Sequence, residues 1–303
     1  MSAESRFLEL LRGVATDPGA QGLTDDVALL VLGDRTLILT SDTMVEGVHY
    51  LPTDPPADIG WKLACVNLSD LAAKGAKPLG CLMNYALSGN EEWDAPFVKG
   101  LGEALNRHAM PLLGGDTVAM PAGAPRSYSL TAIGEASGPV PTRSGAQAGD
   151  ILYLTGPVGD AGIGLSLARA DPSASGPLVE AYRRPRPRLA EGALLAPHVH
   201  AMMDVSDGLL IDAARMAVAS SLAVVIDHIP LSPALEATRG ASTAVQIAAA
   251  RAGDDYELLF ALPRAERPPV RAIPVGRFDT GSGLTLMIDG AVVPLPDTLG
   301  WEH

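Results

Sequence analysis

Val66–Pro78 reads VNLSDLAAKGAKP, and this stretch decides the fold class. It closes a run in which Trp61, Leu63, Ala64, Leu68 and Leu71 recur at helical spacing. That pattern predicts a helix from Asp58 to Lys74, capped by Asp58 and stopped by Gly75 and Pro78. Leu79–Leu87 then reads as a strand. Upstream, Glu4–Leu11 is an amphipathic helix, Thr16–Gly22 a turn, and Val27–Leu32 and Thr36–Thr40 a pair of neighbouring strands. Downstream come a helix over Trp93–His108 and strands over Pro111–Leu113 and Ser127–Glu135. Helices alternating with strands make this half α/β, with its polar motifs at element ends.

A Gly-, Pro- and Ser-rich loop from Gly138 to Gly149 follows, which suggests two domains, 1–140 and 141–303. A chain of 303 residues is long for one core, so two are expected. In the second half, strand Ile151–Thr155 enters the glycine-rich turn Gly156–Gly164, and Met202–Val205 leads into a helix carried by Leu209, Ala213, Met216 and Ala217. The Arg183–Arg188 run, broken by Pro185 and Pro187, reads as a solvated linker.

A formal net charge of −13 argues against nucleic acid and anionic membrane as partners, because both need a basic face. It also means that phosphates need bridging cations or local arginines. Cys65 and Cys81 lack metal-ligand spacing and read as reduced core thiols. Charged residues interrupt the apolar ones near the N-terminus and no apolar run is long enough for a bilayer, so the expected location is the cytoplasm.

Six acidic motifs adjoin apolar elements: Asp25-Asp26, Ser41-Asp42-Thr43, Asn67-Leu68-Ser69-Asp70, Gly114-Gly115-Asp116-Thr117, Asp204-Val205-Ser206-Asp207-Gly208 and Gly253-Asp254-Asp255-Tyr256-Glu257. Singly, each is also an ordinary helix cap or turn. Together they offer what magnesium prefers, hard carboxylate oxygens gathered from several element ends around nucleotide phosphates. No Gly-x-x-x-x-Gly-Lys-Ser/Thr stretch occurs, and Gly156–Gly164 contains no lysine, so a Walker cradle is excluded. A protein-kinase His-Arg-Asp set is missing too.

The runs TSDTMVEGVHY (Thr40–Tyr50), VNLSDLAAKGAKP (Val66–Pro78), LLGGDT (Leu112–Thr117), TRSGAQAGD (Thr142–Asp150), DVSDGL (Asp204–Leu209) and GDDYEL (Gly253–Leu258) resemble, in order and over nearly the whole chain, the thiamine-monophosphate kinase family. The resemblance implies the two-domain aminoimidazole ribonucleotide synthetase-like fold. In it an N-terminal α/β domain pairs through its sheet across a homodimer, and a C-terminal α+β domain covers nucleotide and substrate. It implies a magnesium-dependent transfer of the ATP γ-phosphoryl group to thiamine monophosphate, giving thiamine diphosphate and ADP.

Carried over by position, Asp26, Thr40, Ser41, Asp42, Asp70, Asp116 and Asp204 would be magnesium ligands, and Asp207 would hold a further ion. Gly115, Asp116, Arg143 and Ser206 would contact ATP, while His49, Asp254 and Trp301 would contact the thiamine substrate; Asp42, Asp116 and Asp204 would carry the chemistry. Two departures stand out: Gln21-Gly22-Leu23-Thr24 replaces the usual Gly-x-Gly turn, and Gly253-Asp254-Asp255 the usual Gly-Glu-Asp. Read from the residues alone, His49 is also a strand-end histidine, Arg143 a solvated loop residue and Trp301 an anchor for the tail.

Rival readings are a selenophosphate synthetase-like enzyme, a hydrogenase-maturation relative, or a non-catalytic nucleotide or metal sensor. The first would place a reactive Cys in a glycine-rich N-terminal segment, whereas the first cysteine here is Cys65. The second would end on a cysteine, whereas this chain ends Trp301-Glu302-His303.

Overall fold

Every residue from Ile59 to Ala73 is buried, so helix α2 (Pro56–Ala73; α1 is Ala3–Arg12) has no solvent face and must be enclosed on all sides. This is seen in a computed structural model that describes residues 3–121 and 123–302. One wall is helix α3 (Glu91–Arg107), which approaches closely because a Cβ at Gly60 would lie 2.2 Å from the Phe97 carbonyl oxygen and one at Gly100 1.8 Å from that of Ala57. Pro55, not Asp58, occupies the N-cap of α2 and makes no side-chain cap bond. Asp58 lies in the first turn, where its charge complements the helix dipole.

A second wall is a five-stranded sheet in the order β1-β2-β5-β3-β4. Its strands are β1 (Ala28–Leu32), β2 (Arg35–Val45), β3 (Ala76–Leu87), β4 (Leu112–Ala119) and β5 (Ser127–Ala136). Only β3 and β4 run parallel. On β5, Tyr128, Leu130 and Ala132 point into the core, while Ser129 and Thr131 point outward and meet Thr43 and Ser41 of β2 at 2.7 and 2.9 Å. This outer face and the edge also carry exposed Leu82, Leu113 and Val118. Strand β4 extends well past the predicted Leu113 and is exposed along its whole length, so Gly114-Gly115-Asp116-Thr117 forms an open sheet edge.

The second half builds a seven-stranded sheet, β12-β11-β8-β10-β6-β9-β7. Its members are β6 (Ile151–Leu154), β7 (Ala201–Asp204), β8 (Ala223–Ile226), β9 (Leu258–Leu262), β10 (Ile273–Asp279), β11 (Gly283–Ile288) and β12 (Ala291–Val293). Helices α4 (Asp160–Ala170), α5 (Pro177–Arg183), α6 (Leu189–Leu195), α7 (Leu209–Ala219), α8 (Pro233–Arg239) and α9 (Thr243–Arg251) complete it. Helix α2 packs on β7 and α6 as well as on the first sheet, which makes it the shared spine of the two halves.

The expected solvated linker at Arg183–Arg188 is instead a strap across that spine. Arg183 is buried and donates to Asp54 Oδ1 at 2.9 Å, while the Tyr182 hydroxyl donates to Asp54 Oδ2 at 2.6 Å. The Trp61 indole donates to the Pro185 carbonyl at 3.1 Å, and the Arg184 guanidinium lies 4.3 Å from its ring centroid. Arg188 closes the strap on Glu257. The prolines stiffen an extended path here, and the arginines find acceptors distant in sequence. Cys65 and Cys81 are free thiols in the core, and burial pushes the Cys81 thiol up to about 11.

Candidate active site

Three element ends converge where the spine meets both sheets. Asp26 closes the turn before β1, Asp70 lies near the end of α2, and Asp204 ends β7. One carboxylate oxygen from each falls within 4.8 Å of the others. Neighbouring polar groups orient them: Thr40 Oγ1 donates to Asp70 Oδ2 at 2.5 Å, and Ser69 Oγ to Asp204 Oδ2 at 2.5 Å. The Asp42 amide donates to Asn67 Oδ1 at 3.0 Å, tying β2 to the same helix. Asn67, Ser69 and Asp70 thus act from one turn of α2, which is why the Asn-Leu-Ser-Asp spacing matters.

Like charges packed this closely resist ionisation. Burial, then the charges of Asp26 and Asp207, pushes Asp42 up to about 6. Burial, then Asp26, pushes Asp204 up to about 7, and burial with Asp42 and Asp204 raises Asp70 as well. Asp26 moves the other way: burial raises it, but Arg143, backed by Lys74, more than offsets this and holds it below the usual range. Arg143 pairs with Asp26 directly, its amide donates to Asp25 Oδ2 at 3.1 Å, and the fully buried Lys74 reaches Asp25 Oδ1 at 2.5 Å.

Asp26 Oδ2 is nonetheless buried without a partner. An orphaned carboxylate oxygen beside two buried carboxyls is a donor set that fits a hard divalent cation. A cavity of about 340 Å³ lined by Asp25, Asp26, Thr40 and Ser41 opens next to it.

The other predicted residues fall in two groups. Ser206 and Asp207 follow Asp204, and Asp207 pairs with Arg215 and accepts the Trp301 amide at 3.0 Å through its carbonyl. Trp301 is 51% exposed. His49 and Asp254 meet through Lys62, whose ammonium donates to the His49 carbonyl at 3.1 Å and to Asp254 Oδ2 at 2.7 Å. Gly115 and Asp116 are not brought to the cluster. Asp116 shares a row across the sheet with Asn84, Ser129 and Thr43, so three strand spacings, about 14 Å, separate it from β2. Its Oδ1 accepts only the neighbouring Thr117 amide, at 2.9 Å, among the contacts described.

Residues 24–136 match the family described as AIR synthase related protein, N-terminal domain, and residues 147–288 match its C-terminal domain. The thiamine-monophosphate kinase of Escherichia coli K12 is 35% identical, over 99% of this chain and 96% of its own length. That of Caulobacter vibrioides is 35% identical over 95% and 86%. The chain belongs to the thiamine-monophosphate kinase family.

Solved structures of that family agree. AaThiL complexed with AMPPCP and TMP superposes with a TM-score of 0.87 at 27% identity, covering 100% of this chain and 99% of the other. The thiamine-monophosphate kinase from Stenotrophomonas maltophilia K279a gives 0.77 at 31%, covering 95% and 96%. The hydrogenase maturation protein HypE from E. coli, at 22% identity and a TM-score of 0.70, shares the fold alone. The chain therefore has the two-domain α/β and α+β architecture of AIR synthase-related proteins.

Sequence reasoning placed Asn67 and Ser69 in one of its acidic motifs without giving them a role, and passed over Lys62, Lys74 and Arg215; all five hold a carboxylate or an amide of this thiamine-monophosphate kinase family site. A signal was available for two of those passed over. Lys62 and Lys74 are cations inside a helix otherwise apolar enough to be buried, and a buried cation needs an anion nearby.

Proposed function

We propose that the chain transfers the γ-phosphoryl group of ATP to thiamine monophosphate, giving thiamine diphosphate and ADP. The observation that carries this reading is full-length similarity to thiamine-monophosphate kinases, joined to a cluster of buried carboxylates at the junction of the two halves. An oxygen of the acceptor phosphate forms a bond to the γ-phosphorus as the bond from that phosphorus to the ADP oxygen breaks. The acceptor is already ionised near neutral pH, so no side chain need remove a proton. The obstacle is mutual repulsion of two anions.

Asp26, Thr40, Ser41, Asp42, Asp70 and Asp204, with Asp207, would hold magnesium. Bound magnesium supplies charge neutralisation and alignment of the phosphates. Around it, Arg143 and Ser206 bind ATP, and Arg143 exchanges its Asp26 carboxylate for phosphate oxygens. His49, Asp254 and Trp301 bind the thiamine moiety, whose cationic ring suits an indole face and a carboxylate.

We place the domain boundary at 140/141, in the strand-free segment between Ala136 and Ile151, and the working form as a cytoplasmic homodimer. The open outer face of the first sheet and the unpaired edge β4 support sheet pairing with a second copy, because such an edge is otherwise left unprotected. A selenophosphate synthetase-like reading is disfavoured by Cys65, buried in α2 with its thiol raised. An assay with ATP, magnesium and a panel of phosphate monoesters tests the reading: conversion of thiamine monophosphate to the diphosphate is expected, and its absence while another monoester is phosphorylated would overturn it.

A further inference from the structure

Lys62 is one of two buried lysines on the spine, with only 3% of its side chain exposed. An ammonium has three N–H donors and no acceptor. Here one points to the His49 carbonyl at 3.1 Å and one to Asp254 Oδ2 at 2.7 Å, and the nitrogen lies 4.4 Å from the Tyr182 ring centroid. These partners come from the loop after β2, the loop before β9, and α5 of the strap. Two of its three donors are thus taken by the protein, and the nitrogen lies against the Tyr182 ring rather than in the open.

The loop that it holds is conformationally costly. Asp254 and Tyr256 both sit at positive φ, 68° and 51°, where side chains with a Cβ are disfavoured. Two contacts hold the Asp254 carboxylate there: Lys62 at Oδ2 and the Tyr256 hydroxyl at Oδ1, 2.9 Å away. The side chain of Asp254 remains 32% exposed, so a carboxylate gripped from behind still presents a face outward.

We propose that Lys62 is a positioning residue for the thiamine substrate, setting the His49 loop and the Asp254 carboxylate in one register without touching the ligand. This rests on the reading of His49 and Asp254 as substrate contacts. It also assigns a use to the shorter acid at 254: an aspartate has little reach of its own, and the ammonium fixes where its oxygens lie.

Steady-state kinetics of full-length Lys62→Met, Asp254→Asn and the double variant, with ATP and thiamine monophosphate varied in turn, test it. Lys62→Met is expected to raise KM for thiamine monophosphate at least tenfold and to leave KM for ATP within twofold. In the Asp254→Asn background the same substitution should add less than threefold. Should Lys62→Met not fold, Lys62→Gln, which keeps a donor one bond nearer the backbone but not the charge, is read by the same split. If Asp254→Asn leaves KM for thiamine monophosphate unchanged, the substrate reading of Asp254 fails, and this proposal with it. If Asp254→Asn raises it but the Lys62 variant does not, or raises both constants alike, or the two effects multiply, the positioning role alone is wrong.

Discussion

Replacing Asp204 by asparagine should stabilise the magnesium-free protein while destroying its activity. The carboxyl rises from its ordinary 3.8 to about 7, first through burial and then through the charge of Asp26, so ionising it when folded costs about 4 kcal/mol more than when unfolded. Because the folded value lies above the unfolded one, the wild type loses stability as pH rises from about 4 through about 7. Asparagine has no charge to bury, and its side-chain oxygen can still accept from Ser69 Oγ. In the presence of a chelator, the variant should gain about 2 to 4 kcal/mol at pH 8, shrinking to about 1.5 or less at pH 5. For a chain of this size that is a rise in Tm of about 4 to 8 °C at the higher pH. Added magnesium should raise the wild-type Tm more than that of the variant, and turnover should fall by more than about a hundredfold. Equal melting at pH 8, or the same gain at both pH values, would refute the reasoning.

Asp42→Asn should abolish turnover with unchanged circular dichroism, and a wild-type rate removes that residue from the metal set. Trp301→Ala should raise KM for thiamine monophosphate more than KM for ATP; equal constants would leave the exposed indole a tail anchor. Arg183→Ala strands the Asp54 carboxylate in the strap and should cost about 3 to 5 kcal/mol in urea denaturation, whereas a loss under about 1 kcal/mol would mean that the pair carries no weight.

What the sequence makes legible is whatever depends on near neighbours along the chain. The alternation around Leu79–Leu87 and Ser127–Glu135 reads correctly because strand periodicity is local, and β3 and β5 form within a few residues of those limits. The acidic motifs stand out because Asp and Gly cluster at element ends. Three of them meet, which their spacing alone could not tell. The strap and the Lys62 bridge are invisible to such reading, since Arg183 reaches Asp54 across 129 residues and Lys62 reaches Asp254 across 192. Helical spacing assigned α2 an apolar stripe through Trp61, Leu63, Ala64, Leu68 and Leu71. The helix is in fact buried all round, because the second half, unseen by any local pattern, supplies another wall. Asp116 is a third case: its motif is plain, but placing it on an open edge requires the strand order.

The strap gives the molecule a built-in optical probe. Of the three tryptophans, Trp93 stacks on Phe97 and Tyr128 in the first core under the Arg126 guanidinium, Trp301 lies on the tail, and Trp61 has its indole N–H bonded to the backbone of the strap, with the strap's Arg184 over its ring. A variant keeping only Trp61 would report, through emission and quenching, whether the two halves are clasped. Equilibrium and stopped-flow fluorescence could then follow the junction by itself, separately from turnover.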